Sequence, residues 1–196
     1  MDEEAGEELE EEVREGYLAV SNIMFGVGVF ALIYLPPGWV LRGVPEPPEC
    51  DLMGDWCSTG EFRWVLKGKM KALLVNEDED RMYLITVNAD CFRREEDAKR
   101  RAEKRLSKIE EGRGVKILRR GSISICGHQV PYVLLVRKER GFLRRGRVKY
   151  LLELPLLCER TSRILWIKVV GGPWLPENLE EVLLIISSIR CHDDEI

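Results

Sequence analysis

The chain has 196 residues, 45% of them apolar and 33% charged, which suffices for one globular core and excludes a wholly disordered protein. Its formal charge of −4 conceals segregation: residues 1–16 carry nine Asp/Glu against the single Arg14, whereas residues 61–150 carry 24 Lys/Arg against 13 Asp/Glu. Residues 1–16 have too little apolar surface to fold alone, so an acidic, solvated arm is expected ahead of a single domain over 17–196.

Gln occurs once, at Gln129, while Arg, Glu and Val abound and connections are short. This is the usage expected of a hyperthermophile protein, in which ion-pair networks become cheaper to desolvate on heating. Hyperthermophile cytosols tolerate structural disulfides, so Cys50 and Cys57, flanking "CDLMGDWC", are expected to be bonded or close enough to bond. Neither a basic n-region nor an A-x-A site accompanies the first apolar run, which favours a cytoplasmic chain over a secreted one.

That first run, residues 17–35, nearly reaches the length of a membrane span. Its density of Val, Ile, Phe and Tyr, its glycines and the absence of flanking cations instead predict two strands, 17–21 and 27–35, bent at "NIMFG". A membrane-tethering helix over 17–35 is the alternative. Residues 36–60 are rich in Pro, Gly and acids and read as a long irregular connection. A hairpin follows over 61–90, turning at the acidic residues 77–80. "CFRREEDAKRRAEKRLSKIEEG" is a helix with Ala98, Ala102, Leu106 and Ile109 on one face and Asp90 available as its N-cap. Strands are predicted next over 115–119, 122–126, 130–138, 147–158 and 164–170. The last helix starts near Pro176 and runs as "LEEVLLIISSIRC", with Leu179, Val182, Leu183, Ile186 and Ile189 facing a core.

Antiparallel strands in runs, separated by helices, indicate an α+β fold: a sheet meander packed against two or more helices. Two segments sharpen this. "FALIYLPPGW" at 30–39 and "IISSIR" at 185–190 resemble the opening strand-and-turn and the closing helix of the PsbP-like family. That family includes extrinsic photosystem subunits and a nuclear-import adaptor that binds a small GTPase. The resemblance implies a PsbP-like α/β sandwich, with residues 30–35 as a core strand, and a non-catalytic binding or adaptor role.

Chemistry-bearing motifs are sparse. "FGVGVF" contains G-x-G but leads into a strand, so a phosphate would meet no helix N-terminus there. Ser122 and Ser124 alternate with Ile123 and Ile125, as in a strand with one wet face. Cys126, His128, Cys191 and His192 together would supply ligands that suit zinc, but their spacing matches no compact zinc module. Neither a metal, a cofactor nor a catalytic residue is therefore expected. On the predicted helix, Glu95–Lys99, Glu96–Arg100 and Asp97–Arg101 are spaced for i,i+4 compensation. The turn "RKERGFLRRGRVK" is different: Arg137, Lys138, Arg140, Arg144, Arg145, Arg147 and Lys149 surround Phe142 with only Glu139 opposing. It is the expected binding surface for a protein partner, or alternatively for nucleic acid or the ribosome through phosphate contacts and base stacking. A charged hairpin tip also discourages edge-to-edge aggregation, which is its purely structural reading.

Overall fold

A computed structural model describes residues 14–22, 26–43, 49–50, 56–58, 62–138 and 148–193. The first described elements are β1 (Arg14–Asn22) and β2 (Gly26–Leu35), an antiparallel pair whose strands end and begin at the two ends of "NIMFG". Residues 17–22 and 26–35 are thus extended and not helical, which overturns the membrane-helix alternative. Among the described residues no helix is long and apolar enough to cross a membrane. Gly26 and Gly28 of the G-x-G lie in β2, paired with Asn22 and Val20.

The turn after β2 at Pro36 to Gly38 is closed by Trp39 N–H donating to the Pro36 carbonyl at 3.1 Å, with Gly38 at φ +76°. Residues 36–60, expected to be irregular, instead contain β3 (Trp39–Gly43), β4 (Glu49–Cys50) and β5 (Trp56–Ser58). Their backbones pair with strands further along the chain, so local composition carries no trace of the pairing. The hairpin then forms from β7 (Gly68–Asn76) and β8 (Arg81–Cys91), preceded by the short β6 (Arg63–Val65). Asn76 Oδ1 accepts from the amides of Asp78 and Glu79 at 3.1 and 3.2 Å, which ties down its acidic turn.

Helix α1 (Glu95–Glu110) is followed by β9 (Val115–Ile125), β10 (His128–Lys138), β11 (Val148–Cys158) and β12 (Arg163–Gly171), then α2 (Leu179–Ser187). The large sheet has the order β3-β7-β8-β12-β11-β10-β9, with β4 also on β7, and its ladders are antiparallel. A smaller sheet, β1-β2-β6-β5, joins β2 to β6 in parallel. The α+β expectation holds. One face of the large sheet, from Leu74, Ile85, Ile167, Leu154 and Leu134, meets β2 and α2 in the main core. The other face takes α1 through Ala102 against Ile164 and Trp166, and through Leu106 and Ile109 against Val133, Leu135 and Leu151. Strands buried on both faces explain why β11 and β12 read as near-continuous apolar runs.

Three local expectations are corrected. Asp90 lies in β8, where its carboxylate accepts from Arg101, and the helix N-cap is Arg94 without a side-chain cap bond. Charge pairing on α1 follows geometry and not spacing alone: Glu95–Lys99 forms, but Arg100 pairs with Asp97 three residues earlier. Pro176 precedes α2, which starts after the N-cap Asn178. The apolar stripe of α2 is as expected, with Leu179, Val182, Leu183, Ile186 and Ile189 all buried.

The two strands predicted on either side of "RG" are one. Gly121 is paired with Tyr132, and a Cβ added at Gly121 would stand 2.6 Å from the tyrosine hydroxyl oxygen. Glycine there lets a buried ring lie on bare backbone instead of making a turn. Gly121→Ala is expected to destabilise by about 1–3 kcal/mol through overpacking. Urea unfolding would read this as a lower midpoint at an unchanged slope, and a wild-type midpoint would refute the packing account.

Candidate functional site

The segments carrying the family resemblance meet directly. Leu32 of β2 and Arg190 exchange backbone hydrogen bonds of 3.1 and 2.9 Å. Ser188 Oγ accepts from the Tyr34 amide at 3.1 Å, and Arg190 Nη1 donates to the Tyr34 hydroxyl at 3.0 Å. The residues after α2 are thereby bridged to β2 at Arg190, and Cys191 and His192 follow into the interior. They arrive at the sheet end where β9 turns into β10 and β11 into β12.

The β9–β10 connection is a two-residue turn with Cys126 at φ +48° and Gly127 at φ +75°, the primed geometry that suits strand twist, and it places His128 at the start of β10. Cys158 closes β11. The β10–β11 ladder runs from Lys138↔Val148 to Val133↔Glu153 and stops there. Continued further, the same register opposes Pro131 to Pro155 and His128 to Cys158. Two prolines facing each other supply no N–H, which accounts for the ladder ending where it does.

Among the described residues, His128, Cys158, Cys191 and His192 each bring one donor atom to a group in which all four lie within 4.8 Å of one another. Cys158 and Cys191 are fully buried and His192 is 5% exposed. Both sulfurs stand 3.3 Å from His192 Nδ1, and the two imidazoles meet edge to face at 5.6 Å between centroids. His128 Nε2 is buried without a hydrogen-bond partner. Cys126 Sγ donates to the Ile189 carbonyl at 3.2 Å. The Cys158 thiol is drawn down to about 4, chiefly by the hydrogen bond from Cys191, with Thr161 and His192 assisting against burial. Cys191 is pushed the other way by its hydrogen bonds to Cys126 and Cys158 and by burial.

Arg163 closes the inner side. It is fully buried, and it donates to the Cys191 carbonyl at 2.7 Å, the Val65 carbonyl at 3.0 Å and Thr161 Oγ1 at 3.0 Å. Its guanidinium lies 4.8 Å from the centroid of the Trp64 ring, and Trp64 Nε1 donates to Asp193 at 3.3 Å.

Of the zinc-type residues noted from sequence, the structure brings His128, Cys191 and His192 together, with Cys126 alongside. Cys158 was missed: it ends a strand with no motif around it, and only the β10–β11 register sets it across from His128. The basic hairpin occupies the opposite end of the same strands. Arg137 pairs with Lys149 across β10–β11 and Lys138 with Val148, while Arg140, Phe142, Arg144, Arg145 and Arg147 lie outside the described residues. Cys50 pairs in register with Gly68 and Cys57 with Trp64, but the side chains of Cys50 and Cys57 also lie outside them.

No protein-family model and no curated protein matches the chain. Among solved structures it is similar to the cyanobacterial PsbP protein CyanoP from Synechocystis sp. PCC 6803, at 8% identity and TM-score 0.44 over 93% of this chain and 94% of that one. It is also similar to the Ran-binding protein Mog1p of Saccharomyces cerevisiae, at 10% identity and TM-score 0.46 over 93% and 97% of the two chains. A Pseudomonas aeruginosa protein of unknown function, described as a putative regulator, matches at 13% identity and TM-score 0.44 over 84% and 93%. The family that the two sequence segments resemble is thus among the structural matches.

Proposed function

We propose that the protein is a non-catalytic binding protein that engages an acidic protein partner through the sheet end carrying residues 137–149. The observation that carries this reading is the pairing of Arg137 directly across from Lys149 at the base of the hairpin. To these two cations the sequence adds Arg140, Arg144, Arg145 and Arg147 against only Glu139, a concentration of positive charge that favours an anionic partner. Cys158 and Cys191, the cysteines beside the two histidines, are 0% exposed and would not meet a substrate.

Replacing Arg144, Arg145 and Arg147 together by Ser is expected to slow association with the partner while changing stability by only about 0.5 kcal/mol, as for surface substitutions in general. Surface-immobilised wild-type and triple-variant chains, compared for partner capture and association rate across a salt series, would measure this. Full retention of every partner by the variant would reject the hairpin as the contact surface. A log–log salt slope of about −0.7 per contacted phosphate, with RNA as the captured species, would replace the protein partner by a single-stranded nucleic acid.

A further inference from the structure

We propose that His128, Cys158, Cys191 and His192 are the ligands of a structural zinc ion that fastens the segment after α2 to the ends of β10 and β11. Two thiolates and two imidazoles form a donor set for a borderline-soft, tetrahedral ion, and thiolate ligands disfavour magnesium and calcium. With metal–sulfur and metal–nitrogen distances of about 2.3 and 2.1 Å, a tetrahedral site has ligand–ligand edges of roughly 3.3–3.8 Å. Here both sulfur–Nδ1 edges are 3.3 Å and no edge of the group exceeds 4.8 Å. Small side-chain rotations close the shell.

The alternatives leave polar atoms unexplained. His192 Nδ1 has either one lone pair or one proton, so as a hydrogen-bonding group it serves one sulfur well, yet two stand equally near it. His128 Nε2 is buried and has no hydrogen-bond partner, which is costly for a donor or acceptor but ordinary for a ligand atom aimed at an ion. A Cys158–Cys191 disulfide would answer for neither imidazole.

Four protein ligands, three of them on nearly inaccessible residues, describe a closed site with no position for substrate, so the role is structural. Binding displaces the proton of each thiol and joins residues 128, 158 and 191–192, which are far apart in sequence. An ion bound by the folded chain adds its binding free energy to folding.

Full-length protein kept reduced, with zinc in the growth medium and no chelator, is expected to carry about one zinc per chain by elemental analysis and native mass spectrometry. Cobalt exchanged into the chain should show the absorption of a tetrahedral thiolate complex, and chelation should lower the thermal midpoint. Cys158→Ser and Cys191→Ser should weaken zinc binding by well over about tenfold, the loss typical even of outer-sphere partners, whereas Cys91→Ser, at an exposed cysteine outside the group, should keep it. His128→Ala, at a partly exposed position beside a turn, gives the same reading if the buried cysteine variants do not fold. A reduced, folded chain that takes up no added zinc would overturn the proposal. So would a His128→Ala variant that binds zinc as tightly as the wild type.

Discussion

Replacing Arg163 by Ala is expected to lower the unfolding free energy by about 3–5 kcal/mol, because it orphans several buried acceptors at once. The guanidinium is 0% exposed and spans three chain segments through Val65, Thr161 and Cys191. Each acceptor left buried without a donor costs about 1–3 kcal/mol. Arg163→Lys should recover little of the loss, since a single ammonium on a flexible stem cannot serve three divergent acceptors. Denaturant unfolding of the two variants would decide it. A loss below about 1 kcal/mol for Arg163→Ala would mean that water replaces the arginine and that the segment after α2 is held elsewhere.

Trp64→Ala should cost about 3–5 kcal/mol and should couple to the arginine variant. Trp64 is 0% exposed, packs against Val29, Leu32 and Phe62, and lies beneath the Arg163 guanidinium at 4.8 Å. Its indole also donates to Asp193, so one side chain joins β6 to β2 and to the residues following Cys191 and His192. In a double-mutant cycle the two losses should fall short of additivity by about 0.5–3 kcal/mol, since either substitution alone releases the same contact. Additive losses would place the two side chains in separate units, contrary to their geometry.

How far the sequence can be read depends on whether each signal is local. The α1 face is legible because Ala98, Ala102, Leu106 and Ile109 recur at helical spacing; Ala98 is fully buried, and the other three pack on the sheet. Ser122 to Ile125 alternate as a half-buried strand should, and they do so in β9. Gly121 misleads because glycine marks both turns and close approaches, and only Tyr132 on the neighbouring strand distinguishes them. Asp90 misleads similarly: an acid ahead of a helix is a good cap, but here the strand continues through it and it turns to Arg101.

Composition and periodicity by themselves determined the α+β class, the opening strands, the meander and the apolar faces of both helices, since each rests on side chains a few residues apart. The charge segregation and the basic run at 137–149 were likewise plain from the chain alone. Only the tertiary structure decided that the residues after α2 bridge to β2, that the Pro-rich stretch contains β3, β4 and β5 paired with β7 and β6, and that Cys158 joins His128, Cys191 and His192. Those contacts are fixed by strand register and by the return of the chain end across the fold, both of which bring together residues whose separation in sequence leaves no pattern to read.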